Sequence, residues 1–234
     1  MKKIISLLVV AVMLVLSLAS CDMINKLLGK DEAKDEAKEP RTTITAEEWE
    51  ALKDKTNYTI KTVGTSTMVY GEETVTTEMD EVMKSTETAV YEKSVNKQTY
   101  QGETDEHKEE SYSVVEDGVR YLLHERPDEN GVIGWIASEY DWEHESIYDG
   151  VSNDQELTFE DLVYDEEKKA YTYTLEEDGV EGLVELYFED GNLVKMVMEA
   201  EGEAGSIKLS ATVTITVSDI GTTKVDVPKY TVNQ

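Results

Sequence analysis

Hydrophobic and polar residues alternate along residues 207–217, and this is the clearest pattern in the chain. The apolar positions there are Ile207, Leu209, Ala211, Val213, Ile215 and Val217. A period of two predicts a β-strand with one buried face and one face in water, and we place this strand at 205–217. Shorter runs with strand character predict further strands at 58–63, 66–70, 73–79, 86–93, 97–102, 109–116, 119–125, 132–138, 170–177, 183–188 and 193–198.

Three Asp-Gly pairs separate strand-like runs of the chain. They are Asp117-Gly118, Asp178-Gly179 and Asp190-Gly191. Asp-Gly favours the tight turns of β-hairpins, which need positive φ angles. Turns of two residues cannot connect parallel strands. The sequence therefore predicts an antiparallel sheet.

Short helices are predicted at two places. Thr45 and Glu48 have the spacing of a capping box, which marks the start of a helix, and Thr158 has the character of a second N-cap. Long strands with one apolar face need a layer that covers this face. We therefore expect an α+β fold that is mainly antiparallel β, with a strongly curved sheet, a half-barrel, over two or three short helices. The length of 42–234 fits one domain.

The first 21 residues predict an export signal. Lys2 and Lys3 precede 16 apolar-rich residues, 4–19, which are too few for the roughly 20 that a transmembrane helix needs. The run Leu18-Ala19-Ser20-Cys21 resembles a bacterial lipobox, and its cysteine is the single cysteine of the chain. In an exported protein, a lone cysteine is otherwise a free thiol or an intermolecular disulfide partner.

The lipobox resemblance implies that residues 1–20 are a lipoprotein signal peptide. Cleavage would fall between Ser20 and Cys21, and lipid, including a fatty acid such as palmitate, would be attached to the Cys21 thiol. The mature protein would then be an extracytoplasmic lipoprotein, anchored to the bacterial membrane in the cell envelope. Two or more acyl chains hold a protein stably on a membrane.

Charge divides the remainder into a tether and an acidic body. Residues 22–41 contain five basic and six acidic side chains, with the tandem repeat Lys-Asp-Glu-Ala at 30–37. We read 21–41 as the lipidated cysteine followed by a charged flexible tether. The formal net charge of −29 therefore lies almost wholly in residues 42–234. A body of this charge repels nucleic acid, so nucleic acid is excluded as a partner.

At the level of the whole chain, the sequence resembles the LolA-like envelope lipoproteins of the LppX/LprG type. The resemblance rests on the lipobox, the tether, an early helix with Trp49, the hairpin at Asp190-Gly191, and the closing motifs Ser218-Asp219-Ile220-Gly221 and Val227-Pro228. It implies a curved sheet plugged by helices, with a hydrophobic or lipidic ligand in a cavity between them. The expected cavity residues are Val194, Met196, Met198, Ile207, Leu209, Val213 and Ile215.

A second hypothesis is a surface binding module with a fully packed core, which would hold a protein or a carbohydrate. Its acidic exterior is one candidate surface. The other is an aromatic patch of Trp135, Tyr140, Trp142 and Tyr148. The same rings would alternatively fill the core, where aromatic side chains supply much of the buried area. A structural lipoprotein without a small ligand is the third possibility.

No motif of the sequence indicates catalysis. His107, His124 and His144 have no metal-binding spacing, and no Gly-x-Ser-x-Gly elbow is present. The acidic clusters at 128–131 and 149–156 do not match the twelve-residue calcium loop. We therefore expect no enzyme activity, no metal and no cofactor. The expected partners are the membrane, through the lipid anchor, and a hydrophobic ligand.

Overall fold

The computed structural model describes residues 40–127, 132–140, 146–148, 157–177 and 179–232. Its twelve strands form one sheet in the order β12-β6-β5-β4-β3-β2-β1-β11-β10-β9-β8-β7. The strands are β1 (Tyr58–Tyr70), β2 (Glu73–Ser85), β3 (Ala89–Tyr100), β4 (Glu103–Glu116), β5 (Val119–Pro127), β6 (Ile133–Glu139), β7 (Val163–Asp165), β8 (Ala170–Glu177), β9 (Val180–Glu189), β10 (Asn192–Ala204), β11 (Ile207–Ser218) and β12 (Tyr230–Val232).

The antiparallel pairing predicted from the Asp-Gly turns is confirmed. Asp117-Gly118 joins β4 to β5 and Asp190-Gly191 joins β9 to β10, with φ angles between +46° and +82°. Such angles are those of hairpin turns that match the twist of the strands. Asp178 lies outside the described residues, while Gly179 follows it with φ +86°. β12 differs from the other strands, since it pairs with β6 in parallel.

The prediction of an α+β half-barrel over two or three helices is wrong. The described residues contain one complete α-helix, α1 (Ala46–Glu50), which continues as a 3₁₀ helix, Ala51–Asp54. The second predicted helix is a single 3₁₀ turn, Phe159–Asp161. The molecule is nearly all β, and its sheet is not closed into a barrel. Elements of three to five residues cannot form the helical layer that the half-barrel requires.

Instead of one helical layer, the sheet has an apolar cluster on each of its faces. The larger one, cluster 1, lies over β1, β2 and β8 to β11 and is covered by α1 and by loop residues. Its most buried large side chains are Trp49, Tyr58, Phe188, Leu52, Ile147, Leu186, Leu193 and Val184. We call the face of the sheet that carries cluster 1 the core face.

Cluster 2 lies on the opposite face, which we call the open face, at the β3 to β6 end of the sheet. It consists of Ala89, Val114, Leu123 and Ala137, with Tyr112, Tyr121, Trp135, Val225 and Tyr230 packed against them. Neighbouring residues on β3 show the division, because Val90 packs on cluster 1 and Ala89 belongs to cluster 2. Side chains of successive strand residues point to opposite faces. Val225 and Tyr230, which follow β11, thus cover one end of the open face.

Among the described residues, no helix has the length and hydrophobicity needed to span a bilayer.

Candidate functional site

Most of the predicted cavity residues lie in the packed core. Leu209, Val213 and Ile215 on β11 and Met196 on β10 are all at least nine-tenths buried. Met196, Val213 and Ile215 belong to cluster 1, and the half-buried Met198 packs against it. Ile207, the first residue of β11, is half-buried. The predicted face is therefore an apolar core face that other side chains fill.

A β-bulge changes the predicted face of β10. Phe188 pairs with Leu193 and Tyr187 pairs with Lys195, so Val194 has no partner on β9. A bulge places two residues opposite one and reverses the alternation beyond it. Leu193, which is 1% exposed, therefore shares the core face with Met196, while Val194 is only half-buried.

The predicted aromatic residues are not brought together as one patch. Tyr148 packs against cluster 1, where its ring lies 5.6 Å from that of Trp49 and its hydroxyl donates to Leu157 O at 2.7 Å. Trp135 packs against cluster 2, with its ring 4.9 Å from Tyr112. Tyr140 is 53% exposed.

Other predicted positions lie outside the described residues. They are Ser20, Cys21, Trp142, His144 and the acidic clusters at 128–131 and 149–156. Within the ranges that the structure does describe, no group of three or more His, Cys, Asp and Glu side chains is arranged to hold a metal ion.

A groove of about 540 Å³ lies on the open face, at the centre of the sheet. Four strands, β11, β1, β2 and β3, contribute its walls. The polar side chains that line it are Thr212, Thr214, Thr65, Glu78, Asp80 and Lys97, and the apolar ones are Val63 and Val95. We call it the central groove. Its lining of hydroxyls, carboxylates and one ammonium can both donate and accept hydrogen bonds.

A second, smaller groove of about 370 Å³ adjoins it toward the β1–β2 and β3–β4 turns. It is lined by Thr74, Thr76 and Thr99 from the same face, together with Glu72, Glu73, Gln101 and Gly102. A row of hydroxyl residues lies in register across five strands on this face and includes Thr76 and Thr99 of the smaller groove; its members are Ser210, Thr67, Thr76, Thr99 and Thr104. We call this the hydroxyl row. Directly paired side chains lie about 5 Å apart across strands.

Ion pairs run beside the central groove on the open face. Lys61 Nζ lies 3.8 Å from Asp80 Oδ1, and Lys97 Nζ lies 3.7 Å from Glu106 Oε2. Exposed pairs of this kind add little to stability because water screens them. Their effect is to hold charged groups of both signs at the rim of the groove.

Sequence reasoning missed the central groove because its residues come from four strands. Threonine alternating with aliphatic residues is also what a strand with one wet face requires. The available signal was the frequent threonine at alternate positions of β1, β2 and β11. The pairing register of these strands places the threonines side by side. Only the strand order brings them to one surface.

The comparisons with known proteins show no family. No protein-family model and no curated protein matches the chain. One similar solved structure is the crystal structure of a DUF1329 family protein from Desulfovibrio piger ATCC 29098, which is also rich in β-sheet. The identity is 9%, the alignment covers 78% of this chain and 92% of that chain, and the TM-score is 0.26. A likeness of this size does not establish a shared fold.

Proposed function

We propose that this chain is a lipid-anchored extracytoplasmic protein that binds a carbohydrate on the open face of its sheet. The observation that carries the proposal is the position of the central groove. It lies on the face opposite cluster 1, and hydroxyl, carboxylate and ammonium groups are among the side chains that line it. The residues that would line an internal lipid cavity are instead packed in the core. An open groove that offers these hydrogen-bonding groups beside apolar surface suits a sugar, which has hydroxyls and apolar ring faces, better than an acyl chain.

The extended shape of the polar surface supports a chain of sugars as the ligand. Together, the two grooves and the hydroxyl row extend across the strands from β11 to β4. Threonine hydroxyls can donate and accept, and so can the hydroxyls of a sugar. Glu78 and Asp80 add acceptors, while Lys97 adds a donor. An oligosaccharide can follow this surface across several strands.

Membrane attachment through Cys21 is supported by the lipobox-like sequence, and Arg41 marks where the proposed tether joins the body. Arg41 N donates to Asp190 Oδ1 at 3.0 Å, and Asp190 N donates to Arg41 O at 2.9 Å. The Arg41 guanidinium also pairs with the carboxylate of Glu48 on α1. The tether therefore meets the body at the β9–β10 turn, and the grooves lie on strands that extend away from it.

The anchor is tested by labelling cells that express the full chain with radioactive palmitate. Wild-type protein should carry label and partition into the detergent phase, while Cys21→Ser should lose both properties. Ser20→Ala serves as a control that keeps the cysteine. Equal labelling of wild type and Cys21→Ser would disprove attachment at this thiol.

The groove is tested by titrating bacterial cell-surface oligosaccharides into protein with isotope-labelled threonine methyl groups. Binding should shift the methyl signals of Thr65, Thr212 and Thr214. Thr174, an exposed threonine on β8 outside both grooves, is the internal control. Glu78→Gln should weaken the binding. Shifts confined to core methyl groups, or no shifts with any oligosaccharide, would contradict the proposal.

A further inference from the structure

Glu81 is a buried carboxyl on the core face of β2, and the function proposed above does not use it. It is 5% exposed and pairs with Thr62 on β1, which is fully buried, and with Ser94 on β3. Glu81 Oε2, Thr62 Oγ1 and Asn96 Oδ1 are buried without a hydrogen-bond partner. Asn96 lies on β3, two residues from the position opposite Glu81. Three buried oxygens on three adjacent strands thus lack a hydrogen-bond partner.

The charged groups that act on Glu81 are all carboxylates. They are Glu92 on β3, Glu109 on β4 and Asp80, the preceding residue on β2. The other titratable residues of this face on β4 are all exposed; they are His107, Asp105 and Glu103. On β1, the core-face residues around the site are uncharged. A buried carboxylate without a cation is costly, because it loses its hydration and is repelled by its neighbours.

A proton satisfies this site better than a metal ion. Burial first, and then the three neighbouring carboxylates, raise the pKa of Glu81 to about 8. A protonated carboxyl carries one hydroxyl donor, which Asn96 Oδ1 can accept, and one oxygen that can accept from the Thr62 hydroxyl. The described residues offer no group of three metal-ligating side chains here.

We propose that Glu81 is a proton-binding site that stabilises the sheet while it is protonated, and we call it the latch. Its carboxyl is held neutral. Its single hydroxyl donates to Asn96 Oδ1 on β3, and its other oxygen accepts from the Thr62 hydroxyl on β1. Ionisation at alkaline pH sends the proton to water, leaves Asn96 Oδ1 without a donor and weakens the contact of β2 with β3.

The latch makes stability depend on pH in a defined direction. The folded-state pKa lies above the ordinary value of 4.5, so the folded chain holds the proton more tightly than the unfolded chain. The stabilisation is fully present below pH 4.5 and is lost as the pH rises through about 8. Within this window the folded chain holds one proton that the unfolded chain has released, so each unit of rise in pH increases the unfolding equilibrium constant by about tenfold.

The direct test is a pH titration of the full chain with ¹³C-labelled glutamate side chains. The δ-carbon signal of Glu81 should titrate between pH 7 and 9, and backbone amide signals of β2 and β3 should move with the same midpoint. A Glu81 midpoint near 4.5, or amide signals that do not follow Glu81, would overturn the proposal.

Urea unfolding of variants provides the second readout. Glu81→Gln should remove most of the loss of stability between pH 5.5 and 7.5, and Glu92→Gln should move the Glu81 midpoint to lower pH. Glu176→Gln, at an exposed position on β8, should leave the pH dependence unchanged. An unchanged slope in Glu81→Gln would contradict the latch. So would stabilisation of wild type by millimolar calcium chloride that Glu81→Gln abolishes, because a cation would then occupy the site.

Discussion

Ile215→Ala tests whether the apolar face of β11 is a packed core or the wall of a ligand cavity. Ile215 is 7% exposed within cluster 1 and pairs with Thr62 on β1 and Met196 on β10. Truncating a buried isoleucine to alanine removes three carbons and leaves a void that the rigid sheet fills only in part. We therefore expect a loss of about 3 kcal/mol in the free energy of unfolding.

The matched control is Thr214→Ala, the preceding residue on the same strand. Thr214 lies on the open face and lines the central groove. It is only half-buried, so we expect a cost below about 1 kcal/mol. Both variants can be measured by urea unfolding followed through Trp49, which is fully buried in cluster 1.

Thermal unfolding gives an independent measure of the same difference. For a body of this size, 3 kcal/mol corresponds to a decrease in Tm of about 6–12 °C. A cost below about 1 kcal/mol for Ile215→Ala, together with altered binding of an apolar dye, would refute the packed core. The residue would then line a space that a ligand fills.

Further predictions concern backbone approach, cluster 2 and helix capping. Gly202→Ala should destabilise the fold by more than about 2 kcal/mol in urea unfolding, because an added Cβ would lie 2.4 Å from Gly179 O. At Gly134 an added Cβ meets open space, so Gly134→Ala should leave the stability unchanged in the same assay. Leu123→Ala in cluster 2 should cost about 2–4 kcal/mol while calorimetry still shows one transition, because both clusters share one sheet; two transitions would contradict this. Thr45→Ala removes the N-cap of α1 and should cost about 1 kcal/mol by chemical unfolding, and no change would show that the cap is dispensable.

The strands were predictable because their alternation is local. The hairpins at Asp117-Gly118 and Asp190-Gly191 were predictable for the same reason. The sequence predicts two strands, 58–63 and 66–70, because Gly64 interrupts the apolar alternation between them. In the structure they form one strand, β1. Gly64 remains in the strand, where a Cβ would lie 3.1 Å from a methyl group of Val213. β7 and β12 have three residues each, too few to show a period.

The covering of the sheet was not predictable, and this is why the fold class was wrong. The pattern shows that a strand has an apolar face but not what lies on it. Here the cover comes from a five-residue helix, from loops, and from the segment around Val225 and Tyr230 on the opposite face. The Val194 bulge likewise depends on pairing with β9 and has no local signal.

The buried Glu81 could have been found from the sequence. Met79 and Met83 stand on either side of Glu81 at a spacing of two, so all three fall on one face of a strand. That pattern predicts a carboxyl on the core face of β2. Its missing partners come from β1 and β3, and only the register reveals them.

The central claim is that the core is filled and that ligands bind on the open face. Native mass spectrometry of the purified full chain, combined with organic extraction, tests it most directly. We predict that the protein carries no stoichiometric lipid other than the covalent anchor, and that it gains mass with an oligosaccharide that Glu78→Gln binds more weakly. A noncovalent acyl lipid that co-purifies near one per protein, and is lost when bulky residues replace Ala200 or Ala211 on the core face, would contradict the claim.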